Sequence, residues 1–341
     1  MKTKFNAIAI TAVVLLAILR TPIAHAQIQT PTPSPALLVL NKAENSLAIL
    51  DPATQKVVAR IPTGEGPHEV AASSDGKLAV VTNYGGKEPG HSLSVIDLVA
   101  QKEVHRLDLG PLGRPHGILF ADGKFYFTVE LNKLIARYDP ATNQIDWLLG
   151  VGQNRTHMLV RTKYLNEIFT SNVDSGTVTA IEKSTDPSGW KETNIPVGKA
   201  VEGIDLSPDD REVWAANAGS GTVSIIETAA SKVTQTIEVR TKHSNRLKFT
   251  PDGKFALISD PATGELVIVD TATRTITKML DVGSGPGGIL IVPDGSRAYV
   301  ALAGDNAVAV VDLHTLEVTG KILTGQGPDG LAWASASSIT K

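Results

Sequence analysis

The stretch Gly66-Pro67-His68-Glu69-Val70-Ala71-Ala72-Ser73-Ser74-Asp75-Gly76-Lys77 precedes an apolar run, Leu78 to Thr82, that ends at Asn83. After a glycine-rich loop come Ser92-Leu93-Ser94-Val95-Ile96-Asp97, a turn, and Val104 to Leu109. The same order returns from Pro115 and Pro286, and weaker copies start near Thr156, Val201 and Ser244. A last fragment, Gly327-Pro328-Asp329-Gly330-Leu331-Ala332-Trp333, stands near the end of the chain. Asp75-Gly76, Asp122-Gly123, Asp252-Gly253 and Asp294-Gly295 supply the positive φ of a tight hairpin. Alternation such as Thr222-Val223-Ser224-Ile225 marks half-buried strands. Asp51-Pro52-Ala53-Thr54 and Asp139-Pro140-Ala141-Thr142 place proline where a turn wants its fixed φ. Read as turns, these aspartates are not calcium ligands.

A period of about 42 residues with four strands per unit is the signature of a propeller blade. Inner strands begin at His68, His116, His157, Glu202, Asn245, Gly287 and Asp329, which predicts seven blades. Ala36 to Pro62 holds three strands with no inner strand before them, and the fragment from Pro328 is an inner strand with nothing after it. Joined, they complete one blade and remove the free sheet edges. The fold class is therefore all-β: a seven-bladed propeller of four-stranded antiparallel blades, closed by three N-terminal strands and one C-terminal strand.

Ala79-Val80-Val81-Thr82-Asn83, Ile168-Phe169-Thr170-Ser171-Asn172 and Val213-Trp214-Ala215-Ala216-Asn217 carry a family likeness. They resemble the Tyr-Val-Thr-Asn strand motif of YVTN-repeat β-propellers, over nearly all of the chain after its leader. Residues 298–302 lack the closing asparagine, and Glu130 stands in its place in the second blade. Such repeats occur in binding proteins, surface proteins and enzymes, and exported ones are similar in architecture to propeller lactonases and streptogramin lyases. No catalytic motif of those enzymes falls on these residues, so the resemblance implies a fold and leaves the activity open.

The first residues read as an export signal. Lys2 and Lys4 make a short positive region, Ile8 to Leu19 an apolar one, and Ala24-His25-Ala26 a small-x-small cleavage site. The apolar stretch is shorter than the roughly 20 residues of a membrane-spanning helix. The expected layout is a signal peptide over 1–26, a proline-rich tether over 27–35, the propeller over 36–335 and a tail over 336–341, with Gln27 first in a periplasmic or secreted protein. The 341 residues contain no cysteine, which excludes disulfides, thiolate metal sites and a cysteine nucleophile. Lys+Arg 32 against Asp+Glu 35 leaves a formal charge of −3, without the basic footprint of a nucleic-acid binder. The expectation is a monomer with no membrane span after cleavage, whose partner is a small ligand or an envelope protein.

Blade geometry sorts the polar residues by face. The inner-strand starts and the loops after Asn83-type positions share one face beside the central channel, and these loops are the longer ones. Varied loops on a rigid scaffold are the usual setting of a site. Candidate ligand-binding residues on that face are His68, Glu69, His91, Arg114, His116, Glu130, Arg155, His157, Glu202, His243, Arg246 and Asp329. His68, His116 and His157 from successive blades are candidate ligands for a divalent metal, since neutral imidazoles suit zinc or copper. Glu202 is a further oxygen ligand or a general base. Arg114, Arg155 and Arg246 offer the bidentate fork that clamps a carboxylate. Against these readings stands the simpler one, in which polar residues fill a hydrated channel and bond neighbouring carbonyls. No Gly-x-Ser-x-Gly elbow is present, and Gly283 to Gly288 is a repeat junction that opens no helix. The leading expectation is a binding or scaffold propeller that uses the His-bearing face for a small ligand or protein partner; the alternative is an enzyme of the lyase or lactonase kind, with a metal or a His/Glu pair at the channel mouth.

Overall fold

The computed structural model describes residues 1–2, 30–163, 167–185 and 189–335. Most of the expected export signal, its cleavage site, tether residues 27–29 and the tail 336–341 lie outside the described residues. From Pro31 on, the chain forms seven four-stranded antiparallel sheets. Blades are numbered here from the inner strand Pro67–Ala72; those of blades 2 to 6 have inner strands Pro115–Ala121, Thr156–Arg161, Val201–Leu206, Leu247–Phe249 and Pro286–Ile291. Blade 7 is the composite one: Pro328–Ala334 pairs with Ala36–Asn41, which is followed by Ser46–Asp51 and Lys56–Pro62. The register Ala36↔Ala334, Leu37↔Trp333, Leu38↔Ala332 closes the ring as the sequence predicts.

Burial explains the strand patterns. Second strands such as Ile168–Asn172 and Phe255–Asp260 are buried at every position, because both of their faces meet neighbouring blades. They read as continuous apolar runs for that reason. Fourth strands such as Lys102–Asp108 alternate exposed and half-buried residues at the rim. Between each pair of adjacent blades sits one apolar cluster; Leu93, Phe125 and Phe127 belong to that of blades 1 and 2, and Leu38, Val70 and Ala79 to that of blades 7 and 1. At roughly 25 cal/mol per Å² of buried apolar surface, these seven contacts are what hold the ring.

One irregularity positions the site. In blades 1, 2, 3, 4, 6 and 7 the pairing of inner and second strand slips just after the first inner residue, as between Pro67↔Asn83 and Glu69↔Thr82. Such a bulge leaves an extra residue on the inner strand and re-aims its side chain. The extra residues include His68, His116, His157 and Glu202. Hydroxyls of the second strands pin them: Thr82 donates to His116 O at 2.8 Å, Thr128 to His157 O at 2.6 Å and Ser171 to Glu202 O at 2.6 Å. Neighbouring inner strands come very close at the next position. A Cβ on Gly117 would lie 2.7 Å from His157 O, and one on Gly203 2.7 Å from Asn245 O, so only glycine fits.

Candidate functional site

The bulges turn His68, His116 and His157 inward side by side, in a tilted stack whose rings are inclined by 48° and 32°. Centroids are 4.1 Å apart between His68 and His116 and 3.7 Å apart between His116 and His157. Tyr84, just after the closing Asn83, meets His68 and His116 edge-on at 5.1 and 5.4 Å. Arg114 lies over the Tyr84 ring at 4.7 Å, and Lys42 approaches it at 5.7 Å. Among the described residues no carboxylate pairs with the Arg114 guanidinium.

Glu130 accounts for the departure from the asparagine pattern. Asn83, Asn172 and Asn217 turn back into their own blades, each donating to hydroxyls of the third strand, as Asn217 does to Thr222 and Ser224 at 3.0 Å. Glu130 instead accepts from Tyr84 Oη at 2.6 Å and pairs with His157 Nδ1 at 2.6 Å. Arg155 stands 3.9 Å from the same carboxylate and 3.5 Å from Asp174. Burial alone would raise Glu130, but His157, Tyr84 and Arg155 outweigh it and hold the carboxyl below its ordinary range. Tyr84, half-buried and bonded to that carboxylate, is pushed up to about 12, so its hydroxyl stays protonated and donates.

At the other edge of the histidine stack, His68 Nδ1 lies 3.2 Å from Asp329 Oδ2 without the alignment of a hydrogen bond, and Lys42 reaches the same oxygen at 3.5 Å. Burial pushes His68 down to about 3 against the pull of Asp329. It pushes His116 well below its ordinary value too, with the His157 and His68 rings adding to the effect. Both imidazoles are neutral near pH 7. Burial works to raise Asp329, yet His68, Lys42 and Arg246 bring it below the usual carboxylate range.

The remaining candidates fall into three places. Glu69 and Arg246, from blades 1 and 5, join across the channel with Arg246 Nε and Nη2 at 3.1 and 2.7 Å from Glu69 Oε1. Glu202 accepts from Asn245 at 2.5 Å, and His243 Nε2 lies 3.6 Å from its other oxygen. His91 is exposed near the start of the strand Pro89–Asp97, with Nδ1 3.3 Å from Leu112 O, and does not join the stack. The three imidazoles do not make one ligand set. Ligand atoms within 4.8 Å of one another group as His68, Glu69 and His116, and as His116, Glu130 and His157. Sequence reasoning missed Tyr84 and Lys42, although both follow directly on closing asparagines, Asn83 and Asn41, whose loops lead to the channel mouth.

With this geometry in hand, likeness to known proteins can be placed. A family model described as lactonase, 7-bladed beta-propeller, matches residues 134–340, more than half of the chain. No curated protein matches it in sequence. Among solved structures, a putative 6-phosphogluconolactonase from Bacteroides uniformis is similar with TM-score 0.72 and 14% identity, over 88% of this chain and 99% of its own. A protein of Desulfotomaculum acetoxidans described as functionally unknown gives 0.74 and 14%, over 89% and 99%. Hydrazine synthase of Kuenenia stuttgartiensis gives 0.67 and 18%, over 85% and 98%. At such identities the structural likeness speaks for the fold alone. The sequence match says more, and it agrees with the repeat and the composite seventh blade: the chain belongs to the lactonase family of seven-bladed β-propellers.

Proposed function

We propose that the protein is a ring-opening hydrolase for anionic lactones, working at the histidine-bearing mouth of the channel. The observation that carries this reading is Arg114. Its guanidinium is held over Tyr84, next to the stacked histidines, with no carboxylate of its own among the described residues. An arginine with no carboxylate partner among the described residues is suited to hold a carboxylate or phosphate of a bound molecule. Arg155 and Lys42 flank it with partners they share and can lend. The more exposed acid–base pair is His68 with Asp329, whose side chains are 14% and 17% exposed against 5% and 3% for His157 and Glu130, and it reaches the channel.

In this reading water adds to the lactone carbonyl and its proton passes to His68, with Asp329 offsetting the burial that otherwise disfavours the imidazolium. The ring C–O bond then breaks, the proton passes to the departing oxygen, and a hydroxy acid leaves. The family match favours this enzymatic reading over a binding or scaffold role, and the neighbour described as a 6-phosphogluconolactonase suggests a phosphorylated sugar lactone as first probe. Export to the periplasm or medium belongs to the same proposal and rests on the leader that ends at Ala26.

The test is hydrolysis of gluconolactone with and without a 6-phosphate. The wild type should prefer the phosphorylated ring, and Arg114→Ala should remove about 10- to 100-fold of kcat/KM on that substrate only, the worth of a charge-assisted hydrogen bond. Rates no faster than spontaneous opening for both substrates would sink the enzymatic reading. Tight binding of the hydroxy acid without turnover would then favour a binding module.

A further inference from the structure

Three ring nitrogens at the centre of the stack have no partner among the described residues. His116 is fully buried, and neither of its nitrogens bonds to a described residue; His157 is 4% exposed, and its Nε2 is in the same state. An unmet buried nitrogen keeps its desolvation cost, and such groups ordinarily find a partner. Two rings in contact, each with nitrogens to satisfy, point to one shared partner that accepts several lone pairs. A carboxylate stands with them: one ligand atom from each of His116, Glu130 and His157 lies within 4.8 Å of the others.

We propose that His116, His157 and Glu130 bind one divalent transition-metal ion of the zinc or ferrous class. Two imidazoles and a carboxylate are a set both ions use, with a position left open. Tyr84 steadies the carboxylate from the far side by its hydrogen bond at 2.6 Å, as outer partners of metal ligands do. The overlapping set of His68, Glu69 and His116 is the poorer host. Its carboxylate oxygen already receives two bonds from Arg246, and that buried cation opposes a second one. Arg155 reaches Glu130 only at 3.9 Å and from the rim, with Asp174 as its alternative partner. The site is carried by the unmet nitrogens and stands or falls independently of lactone hydrolysis.

The test uses the whole protein, stripped with a chelator and titrated separately with Zn2+ and, without oxygen, Fe2+. Binding of about one equivalent of either ion at micromolar or lower concentration is the expected result. His116→Gln and Glu130→Gln should each weaken it by more than about 100-fold, beyond what loss of an outer partner does. His314→Ala, on the opposite face, should bind as the wild type does. Because a variant in the stack can unfold, the wild type gives a second readout: Zn2+ should shift the imidazole nitrogen resonances of His116 and His157 and leave those of His105 and His314 in place. Neither ion bound at millimolar concentration, or bound with the His116 and His157 resonances unmoved, overturns the proposal.

Discussion

The two ends of the central channel are made by the same seven inner strands and differ in what they present to the axis. Where the strands begin, His68, His116, His157, Glu202, Asn245 and Asp329 face the axis, with Tyr84 and Arg114 above them. Toward their other ends, a cavity of about 350 Å³ has a wall of aliphatic residues, among them Val70, Ile118, Met158, Ile204, Ile289 and Leu331, with Arg161, Lys163, Asp205, Asp210 and Lys248 around them. Glu69 and Arg246 lie between the two, joined across the axis. The difference comes from the bulge. Ordinary alternation continues beyond it and yields a greasy wall, whereas the extra residue at the bulge needs no apolar contact and is free to be polar. Chemistry in this ring collects where the regular ladder breaks.

The comparison disappears entirely if the ring opens. Deleting the chain from Gly327 onward removes the inner strand of blade 7 and exposes the buried edge of Ala36–Asn41. We expect the largest effect here, a melting temperature lower by at least about 10 °C or no cooperative transition at all. Unchanged melting would show that the seventh blade does not depend on the C-terminal strand.

Next in size is the pair that divides the channel. Arg246 is 5% exposed, so Glu69→Ala strands a buried cation and should cost about 3–5 kcal/mol. Replacing both, as Glu69→Met with Arg246→Met, should recover most of that loss and remove the charged bridge between the two ends. Chemical denaturation of the two singles and the double decides it; equal losses in all three would deny the coupling. Smaller still is crowding at the bulge. Gly203→Ala brings a methyl within 2.7 Å of Asn245 O and should destabilise by about 1–3 kcal/mol, while Gly150→Ala at the rim, where a Cβ meets nothing within 4 Å, should change stability far less. Thermal melts of the pair separate the inner wall from the rim.

The smallest effect tests the limits of the histidine face itself. His91 shares that face in sequence but lies outside the stack, so His91→Ala should leave stability within about 0.5 kcal/mol and any lactone hydrolysis unchanged. A clear loss of activity would extend the site out to His91.

The repeat determined by itself the number of blades, the composite seventh blade and the face on which His68, His116 and His157 stand. These follow from local turn chemistry and from strand periodicity, which each blade settles with its nearest neighbours. It also flagged Glu130, by a departure from the asparagine that closes other blades. Only the tertiary structure decided that Glu130 reaches a histidine of the next blade, that Tyr84 and Lys42 join the mouth, and that the three imidazoles stack without forming one ligand set. It alone joined Glu69 to Arg246, 177 residues apart. Those contacts depend on where each bulge aims its extra residue and on the width of a closed seven-fold ring, and neither quantity is written in any single repeat.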